Sequence, residues 1–201
     1  MDGYLDGELL ERFLLFRQDL LSAVLLPPSH FNSIENALGQ LRGAAFQQVS
    51  PFAPVDRDLD GRDPYYWHLL ICDQASRQLL GAQRLSFSLW QQSDWGSKHS
   101  YLEHCYPGLA VDFAESGLTY LEVGRVFVAP YARHDPRVLP SLIRASGLLA
   151  RATSHRHILG LMSFRYVSQQ SWADWVFLDR IQRPPYNQPL PVPAGRHPLT
   201  F

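Results

Sequence analysis

The order of sequence patterns predicts an α/β or α+β domain with a mixed sheet. Three observations support this fold class: an amphipathic helix before a strand hairpin, one long strand in the middle of the chain, and a helix directly after that strand. The 201 residues, 46% of them hydrophobic, can bury one sizeable core but are few for two domains. We therefore expect a single domain over residues 1–201, ending in a Pro-rich extended tail over 183–201.

The first 50 residues predict two helical segments. Apolar residues recur at helical spacing between Leu9 and Val24, but residues 20–26 fit a helix and a strand equally well. A clearer helix is predicted over 33–46, because Asn32 can cap it and Glu35 stands three positions later, as in a capping box.

The middle of the chain predicts three strands. Residues 66–72 and 78–87 form a predicted hairpin, and 119–128 is the strongest strand pattern in the sequence. Residues 89–116 show no sustained period and predict a long ordered loop that covers a site.

The last third of the chain predicts a helix, a strand and a second helix. The first helix begins near residue 135 and ends near 152, with Pro140 in its first turns, where proline is tolerated. A strand over 157–164 and a helix over 169–180 follow.

Composition and charge narrow the possible functions. The net charge of -1 gives no general attraction to nucleic acid or to an anionic bilayer. No apolar run reaches the roughly 18 residues that a membrane-spanning helix needs, and the acidic start does not resemble a signal peptide, so we expect a cytoplasmic protein. Cys72 and Cys105 lie far apart and match no metal spacing, so neither a metal site nor a disulfide framework is predicted.

The 119–128 strand carries an acid and a base. Glu122 and Arg125 are three residues apart, so a regular strand would place them on opposite faces. A β-bulge at Gly124 would bring both to one cleft, and glycine within a strand often marks a bulge. The alternative is a pair of solvent-facing residues or a simple ion pair.

The end of this strand leads directly into the predicted 135–152 helix. Phe127 and Val128 finish the strand, and Arg133 and Arg137 lie at the approach to the helix. The free backbone N–H groups of a helix start can bind an anion, such as the phosphate of a carrier arm. A plain strand-to-helix turn is the alternative.

Short motifs of the chain resemble two related enzyme groups. They occur in this order: Arg42 with Phe46 one helical turn later, Asp60-x-x-Asp63, His68-Leu69-Leu70, Gly81-x-x-Arg84-Leu85, Glu122-x-x-Arg125 and Leu159-Gly160-x-x-Ser163. The combination is similar to the bacterial ornithine-type N-acyltransferases and the acyl-homoserine-lactone synthases, with the N-acyl amino acid synthases as close cousins. It covers about two-thirds of the chain and implies an α/β fold of the GNAT acyltransferase type, in which a mixed, mostly antiparallel central sheet is flanked by helices.

The resemblance implies that an amine attacks an acyl thioester directly, without a metal. Glu122 would accept the amine proton or orient the amine, and Arg125 and Arg84 would organise the acyl end and the acidic residues. Backbone amides on the strand would stabilise the developing oxyanion.

The same resemblance implies a substrate site. Asp60 and Asp63 would bind or position the amino acid, Arg42 would pair with them, Phe46 would line the cleft, and Ser163 would contribute from the last motif. The acceptor would be a small amine or an amino acid.

The implied acyl donor is the phosphopantetheine arm of acyl carrier protein or of CoA, with no tightly bound cofactor. Phe127, Val128, Arg133 and Arg137 would contact it. An acetyl-CoA loop of the GNAT type usually has glycines after the arginine, whereas this chain continues with residues 134–137, His-Asp-Pro-Arg, which favours acyl carrier protein. A lipid product could bring the protein into peripheral contact with a membrane.

Two departures lower the rank of lactone synthesis. Those synthases usually have a Trp six residues after the Phe, where this chain has Phe52, and a Leu-Pro-Thr run where it has residues 86–88, Ser-Phe-Ser. The first hypothesis is therefore an N-acyltransferase for a medium or long acyl chain. The alternatives are a lactone signal synthase and a non-catalytic acyl or carrier-protein binding module.

The tryptophans allow two interpretations. Aromatic side chains such as Trp67 and Trp90 pack a core or a loop in most proteins, and the same residues could line an acyl-chain tunnel.

Overall fold

The protein is built around one six-stranded sheet. A computed structural model describes residues 3–47, 56–91, 94–161 and 183. The strands follow the sheet in chain order and are β1 Leu14–Gln18, β2 Leu21–Leu26, β3 Trp67–Asp73, β4 Leu79–Phe87, β5 Tyr120–Val128 and β6 His157–Leu159. Neighbouring strands are antiparallel except for the parallel pair β5 and β6. The predicted α/β class with a mixed, mostly antiparallel sheet is confirmed.

Helices pack on both faces of the sheet. They are α1 Gly7–Arg12, α2 Glu35–Gln47, α3 Ser88–Gln91, α4 Asp94–His99, α5 Tyr101–Cys105, α6 Leu109–Glu115 and α7 Val138–Ala152, with short 3-10 turns at Pro28–Ser33, Asp63–Tyr65 and Pro130–Ala132. Among these described elements, no helix is both long and apolar enough to cross a bilayer.

Two adjacent residues of β4 show which helix covers which face. Gln83 donates a hydrogen bond to Ser146 of α7. Its neighbour Arg84 points to the other face and contacts Asp63, which Arg42 of α2 also binds. Helices α2 and α7 therefore lie on opposite faces, and strands β3 and β4 between them are buried along almost their whole length.

The N-terminal helical prediction is wrong beyond residue 12. Helix α1 ends at Arg12, and the following residues form the β1–β2 hairpin, whose turn holds Asp19 and Leu20 at φ 50° and 69°. Residues 20–26, left open between helix and strand, supply β2. Its side chains are buried almost throughout because it pairs with β3 along its whole length, so tertiary pairing overrides the helical spacing.

The other predicted elements differ mainly at their ends. Helix α2 begins at Glu35, and Asn32 lies inside the preceding 3-10 turn, so Asn32 is not the helix cap. The strands predicted over 66–72, 78–87 and 119–128 are confirmed to within one residue. Helix α7 begins at Val138 rather than near 135.

The long loop predicted over 89–116 is instead largely helical. Four short helices, α3 to α6, occupy this segment and span four to seven residues each. Helices of one or two turns are too short to show a hydrophobic period. At the start of α5, the Ser100 side chain accepts from the amide of Glu103 and so satisfies one free backbone donor. Helices α3 to α5 cover part of the site described below. We call this group of three helices the cap, which is a different feature from the capping residue of a single helix.

Some predictions concern residues outside the described part of the chain. Strand β6 ends at Leu159, and residues 160 and 161 are described but are not strand, so the predicted strand over 157–164 is too long at its end. Residues 162–164, among them Ser163, are not described. The same holds for the predicted 169–180 helix and the 183–201 tail, apart from residue 183.

Candidate active site

A β-bulge interrupts the pairing of β4 with β5. Gly124 pairs with Arg84 and Phe127 with Ala82, so Arg125 and Val126 together face the single residue between those partners. Arg125 adopts φ 52°, a left-handed conformation that non-glycine residues rarely take. The predicted bulge therefore exists, but it begins one residue after Gly124.

The pairing of β5 with β6 ends at Glu122, before the bulge that begins at Arg125. The last pair is Glu122 with Leu159, and the next residue, Gly160, lies so close to β5 that a Cβ there would stand 2.7 Å from the carbonyl oxygen of Val123. Only glycine allows this approach. The backbone that follows β6 thus stays in contact with β5 for one residue beyond the last pair, at Val123.

Six charged side chains form an ion cluster on the α2 face: Arg42, Asp58, Asp60, Asp63, Arg84 and Arg125. Its buried frame consists of Arg42, Asp63 and Arg84, whose side chains are 1%, 0% and 2% exposed. Arg42 donates to both oxygens of Asp63 at 3.0 and 2.5 Å, and Arg84 donates to Asp63 at 3.1 Å. Of the two predicted acidic partners, Arg42 binds Asp63, whereas its second contact is Asp58 rather than Asp60. Asp63 is fully enclosed by its partners.

The other three members of the cluster form its exposed rim. The side chains of Asp58, Asp60 and Arg125 are 13%, 24% and 37% exposed. Asp60 accepts from Arg84 at 2.9 Å, while Arg125 reaches Asp58 and Asp60 at 3.3 Å each. Within the cluster, therefore, Asp60 and Arg125 are the groups most open to a small molecule.

Two aspartates of the cluster, Asp63 and Asp60, are held as carboxylates. Burial alone would raise the pKa of Asp63, but hydrogen bonds from Arg42 and the charges of both arginines outweigh it and lower that pKa to about 2. For Asp60, burial is likewise outweighed, by the charge and hydrogen bond of Arg84, so its pKa lies below the ordinary value. Both groups are therefore anionic at neutral pH.

His68 supports the ion cluster by contacting the backbone of Asp63. The His68-Leu69-Leu70 motif by itself did not reveal this role. The His68 ring is 1% exposed, and Nε2 lies 2.9 Å from the carbonyl oxygen of Asp63. A carbonyl only accepts, so Nε2 carries the proton and donates it. Burial lowers the pKa of His68 to about 4, which keeps the ring neutral beside the arginines.

Glu122 is the centre of a second polar network, under the cap. It is 2% exposed. One carboxylate oxygen accepts from Tyr66 Oη at 2.7 Å and from the Leu102 amide at 3.2 Å. The other accepts from Gln91 Nε2 at 2.6 Å and from Ser100 Oγ at 2.8 Å. A carboxylate offers about four acceptor positions, so all of them are in use.

Tyr66 connects the Glu122 network to the ion cluster, while Glu122 itself stays buried. The Arg84 guanidinium lies 4.5 Å from the centre of the Tyr66 ring, and the Tyr66 hydroxyl both donates to Glu122 and accepts from the Tyr101 amide. Burial and the charge of Glu122 raise the pKa of Tyr66, so the hydroxyl keeps its proton. Sequence patterns gave no signal for these partners, because the cap brings them together only in the fold.

The residues predicted to contact the acyl donor lie along the loop from β5 to α7. The Phe127 side chain is buried in the core, 4% exposed, so this residue can offer a ligand only its backbone. Val128 is partly buried, and Arg133 donates to the Ala45 carbonyl at the end of α2 at 2.7 Å. Arg137 lies at the start of α7, exposed and paired with Asp135.

Phe46, predicted to line the cleft, packs partly buried against the main core. The structure does place an aromatic cavity of about 200 Å³ at the open end of β3 and β4. It is lined by Pro28, Tyr65, Trp67, Ser86, Phe87 and Trp90. Trp67 and Trp90 thus line a cavity, as one of the two interpretations of the tryptophans requires.

The sequence also matches a known family. Residues 41–141, which are half of the chain and contain β3 to β5, the ion cluster and Glu122, match the family model described as an acetyltransferase (GNAT) domain. The chain belongs to the GNAT acetyltransferase family. It is an acyltransferase of that family, as the motifs predicted, and the finer subtype is not given by the match. No curated protein is significantly similar to the chain.

Solved GNAT structures resemble this protein only distantly. An aminoglycoside acetyltransferase from an uncultured soil metagenomic sample, in complex with trehalose, is 9% identical, with a TM-score of 0.46 and coverage of 91% of this chain and 99% of that one. A putative acetyltransferase from Agrobacterium tumefaciens is 11% identical, with a TM-score of 0.43 and coverage of 86% and 99%. The acyl-homoserine-lactone synthase LasI is 14% identical, with a TM-score of 0.44 and coverage of 67% and 66%. Similarity at this level carries no information about the substrate.

Proposed function

We propose that this GNAT protein is an N-acyltransferase that moves a medium or long acyl chain from a phosphopantetheine thioester to the amine of an amino acid or a related small molecule. The observation that supports it most is the ion cluster, which holds a partly exposed carboxylate beside a β-bulge. A carboxylate there can bind an ammonium group, and a bulge leaves a backbone amide unpaired. The carboxylate serves to bind the amine, and the amide serves to stabilise the oxyanion that forms during acylation.

The acceptor amine binds at the rim in this proposal. Asp60 offers carboxylate oxygen to the ammonium group, while Asp63 is enclosed and acts by holding Arg42 and Arg84 in place. After the amine has lost a proton, its nitrogen attacks the thioester carbon. The carbonyl oxygen becomes an oxyanion, which the free amide of the bulge stabilises.

The proton balance of the reaction follows from the bonds that change. The new C–N bond forms, the C–S bond breaks, and the ammonium group loses two protons in total. One proton goes to the departing thiolate and the other to water. Glu122 already accepts four hydrogen bonds, so in this arrangement it holds the cap rather than receiving a proton. A role as base requires one of these donors to move away.

The acyl donor is the acyl-phosphopantetheine arm of acyl carrier protein, or of CoA, used as a co-substrate. Arg137 supports this proposal because it lies exposed at the start of α7, where its guanidinium, now held by Asp135 and the Asp19 carbonyl, can exchange these surface contacts for a phosphate. The sequence 134–137 lacks the glycines that let backbone wrap closely around a pyrophosphate, which favours the carrier protein. The aromatic cavity can hold an apolar part of either substrate. Such a reaction suits a cytoplasmic protein with peripheral membrane contact through its lipid product.

A thiol-release assay tests the proposal. Purified protein is incubated with acyl carrier proteins and CoA thioesters of several chain lengths, each with a panel of amino acids and amines, and free thiol and product are measured. We expect thiol release that depends on the amine and is faster from the carrier protein. Absence of thiol with every donor and acceptor, despite tight carrier binding, would leave the non-catalytic binding module as the correct alternative.

A further inference from the structure

The contacts that Arg125 makes at the rim of the ion cluster are longer and more exposed than those within the frame. Frame contacts among Arg42, Asp63 and Arg84 measure 2.5 to 3.1 Å. Arg125 instead divides its guanidinium between Asp58 and Asp60, at 3.3 Å from each, with 37% of its side chain exposed. Long single contacts at an exposed site contribute little stability, so Arg125 can exchange them for a ligand at small cost.

The backbone of Arg125 is strained in a way that presents this side chain. The residue has φ 52° inside the bulge, a left-handed conformation that is strained for any residue other than glycine. The fold tolerates the strain although glycine would relieve it. The result is a guanidinium beside the carboxylate of Asp60, both partly open to solvent.

The charge of the cluster is balanced before any substrate binds. Its three aspartates face its three arginines, and His68 is neutral because burial lowers its pKa. A guest with only an ammonium group, or only a carboxylate, would add an unpaired charge to this partly buried site, which is costly. A guest with one charge of each sign keeps the balance and can pair both of its groups.

We propose that the rim recognises an α-amino acid by both of its charged groups, with the α-ammonium on Asp60 and the α-carboxylate on Arg125. This inference rests on the proposed N-acyltransferase function and narrows its acceptor from an amino acid or a related small amine to an α-amino acid with a free carboxylate. It makes Arg125 the specificity-determining residue for the acceptor. The guanidinium fork suits a carboxylate because it can donate two parallel hydrogen bonds.

Matched acceptor pairs test this inference in the unaltered protein. Each amino acid of a panel is compared with its carboxamide and with the amine that lacks the carboxylate, using one acyl carrier thioester and thiol release as the readout. We expect kcat/KM for the amino acid to exceed that for its partners by about ten- to a hundredfold, the value of one charged hydrogen-bonded contact. Equal use of amino acid and matched amine overturns the inference, while leaving the proposed function intact.

Two variants locate the effect at Arg125. Arg125→Gly removes the guanidinium and suits the left-handed backbone, so we expect a folded protein in which the preference for the amino acid falls to about onefold, mainly through KM. Arg125→Lys keeps the charge without the fork and should retain part of the preference. Arg57→Gln is the control, because Arg57 is exposed and pairs with Glu35 outside the cluster. A preference that survives in Arg125→Gly refutes the assignment.

A binding measurement separates this inference from the proposed function. If no acceptor releases thiol, the proposed function fails, and calorimetric titration of the same amino acids and matched amines decides the inference. Tighter binding of the amino acid that disappears in Arg125→Gly supports it. Equal binding of both members of each pair overturns it.

Discussion

Replacement of Glu122 by Gln tests whether this residue holds the cap or accepts a proton. The amide oxygen of Gln can still accept from Tyr66 and from the Leu102 amide, but its NH₂ group would face the NH₂ group of Gln91. Hydrogen bonds to a charged group contribute about 1.5–3 kcal/mol, and a buried unpaired donor costs about 1–3 kcal/mol. Part of this loss is offset because a buried charge is removed. We expect the free energy of unfolding to fall by about 2–4 kcal/mol.

The measurement is urea denaturation, together with turnover as a function of pH. Glu11→Gln on exposed α1 is the control and should change stability by less than about 0.5 kcal/mol. The double variant Glu122→Gln with Gln91→Glu exchanges donor and acceptor, so it should recover about half of the lost stability, and turnover should recover with it. Unchanged stability in Glu122→Gln, with turnover reduced over a hundredfold and the acidic limb of the pH profile lost, would refute a holding role and establish Glu122 as the base.

Three further predictions concern ionisable residues around the site. His68 has a folded pKa of about 4, below the unfolded value of about 6.5, so the unfolded chain takes up the proton first and stability falls as the pH drops from about 6.5 to 4. The loss should reach about 3 kcal/mol by pH 4, and His68→Gln should lack this slope in urea titrations. Asp63→Asn leaves Arg42 buried and incompletely paired, which should cost about 3–5 kcal/mol in the same assay, and a loss below 1 kcal/mol would contradict the enclosed frame. Arg137→Ala should weaken carrier-protein binding in calorimetry with only a small loss of stability, because its contacts with Asp135 and the Asp19 carbonyl are exposed. Arg133→Ala should lower stability by about 1 kcal/mol through the lost bond to the end of α2, and weakened carrier binding in this variant alone would remove the donor role of Arg137.

Local sequence patterns were sufficient to predict those strands and helices whose structure is decided by their own residues. Strand β5 and helix α7 are long and periodic, so their existence was predictable from the sequence. The alternation of strands and helices, and with it the fold class, follows from the same signals. The resemblance to known N-acyltransferases, rather than any local pattern, implied that Arg42, Asp60 and Asp63 belong to one site.

Only the tertiary structure decided how these residues are used. Strand β2 forms because β3 lies beside it, and the cap forms because its short helices close over Glu122. Neither effect leaves a periodic signal in the sequence. The separation of the aspartates into the enclosed Asp63 and the open Asp60 also depends on packing, because spacing fixes which residues can meet but not which of them water can still reach.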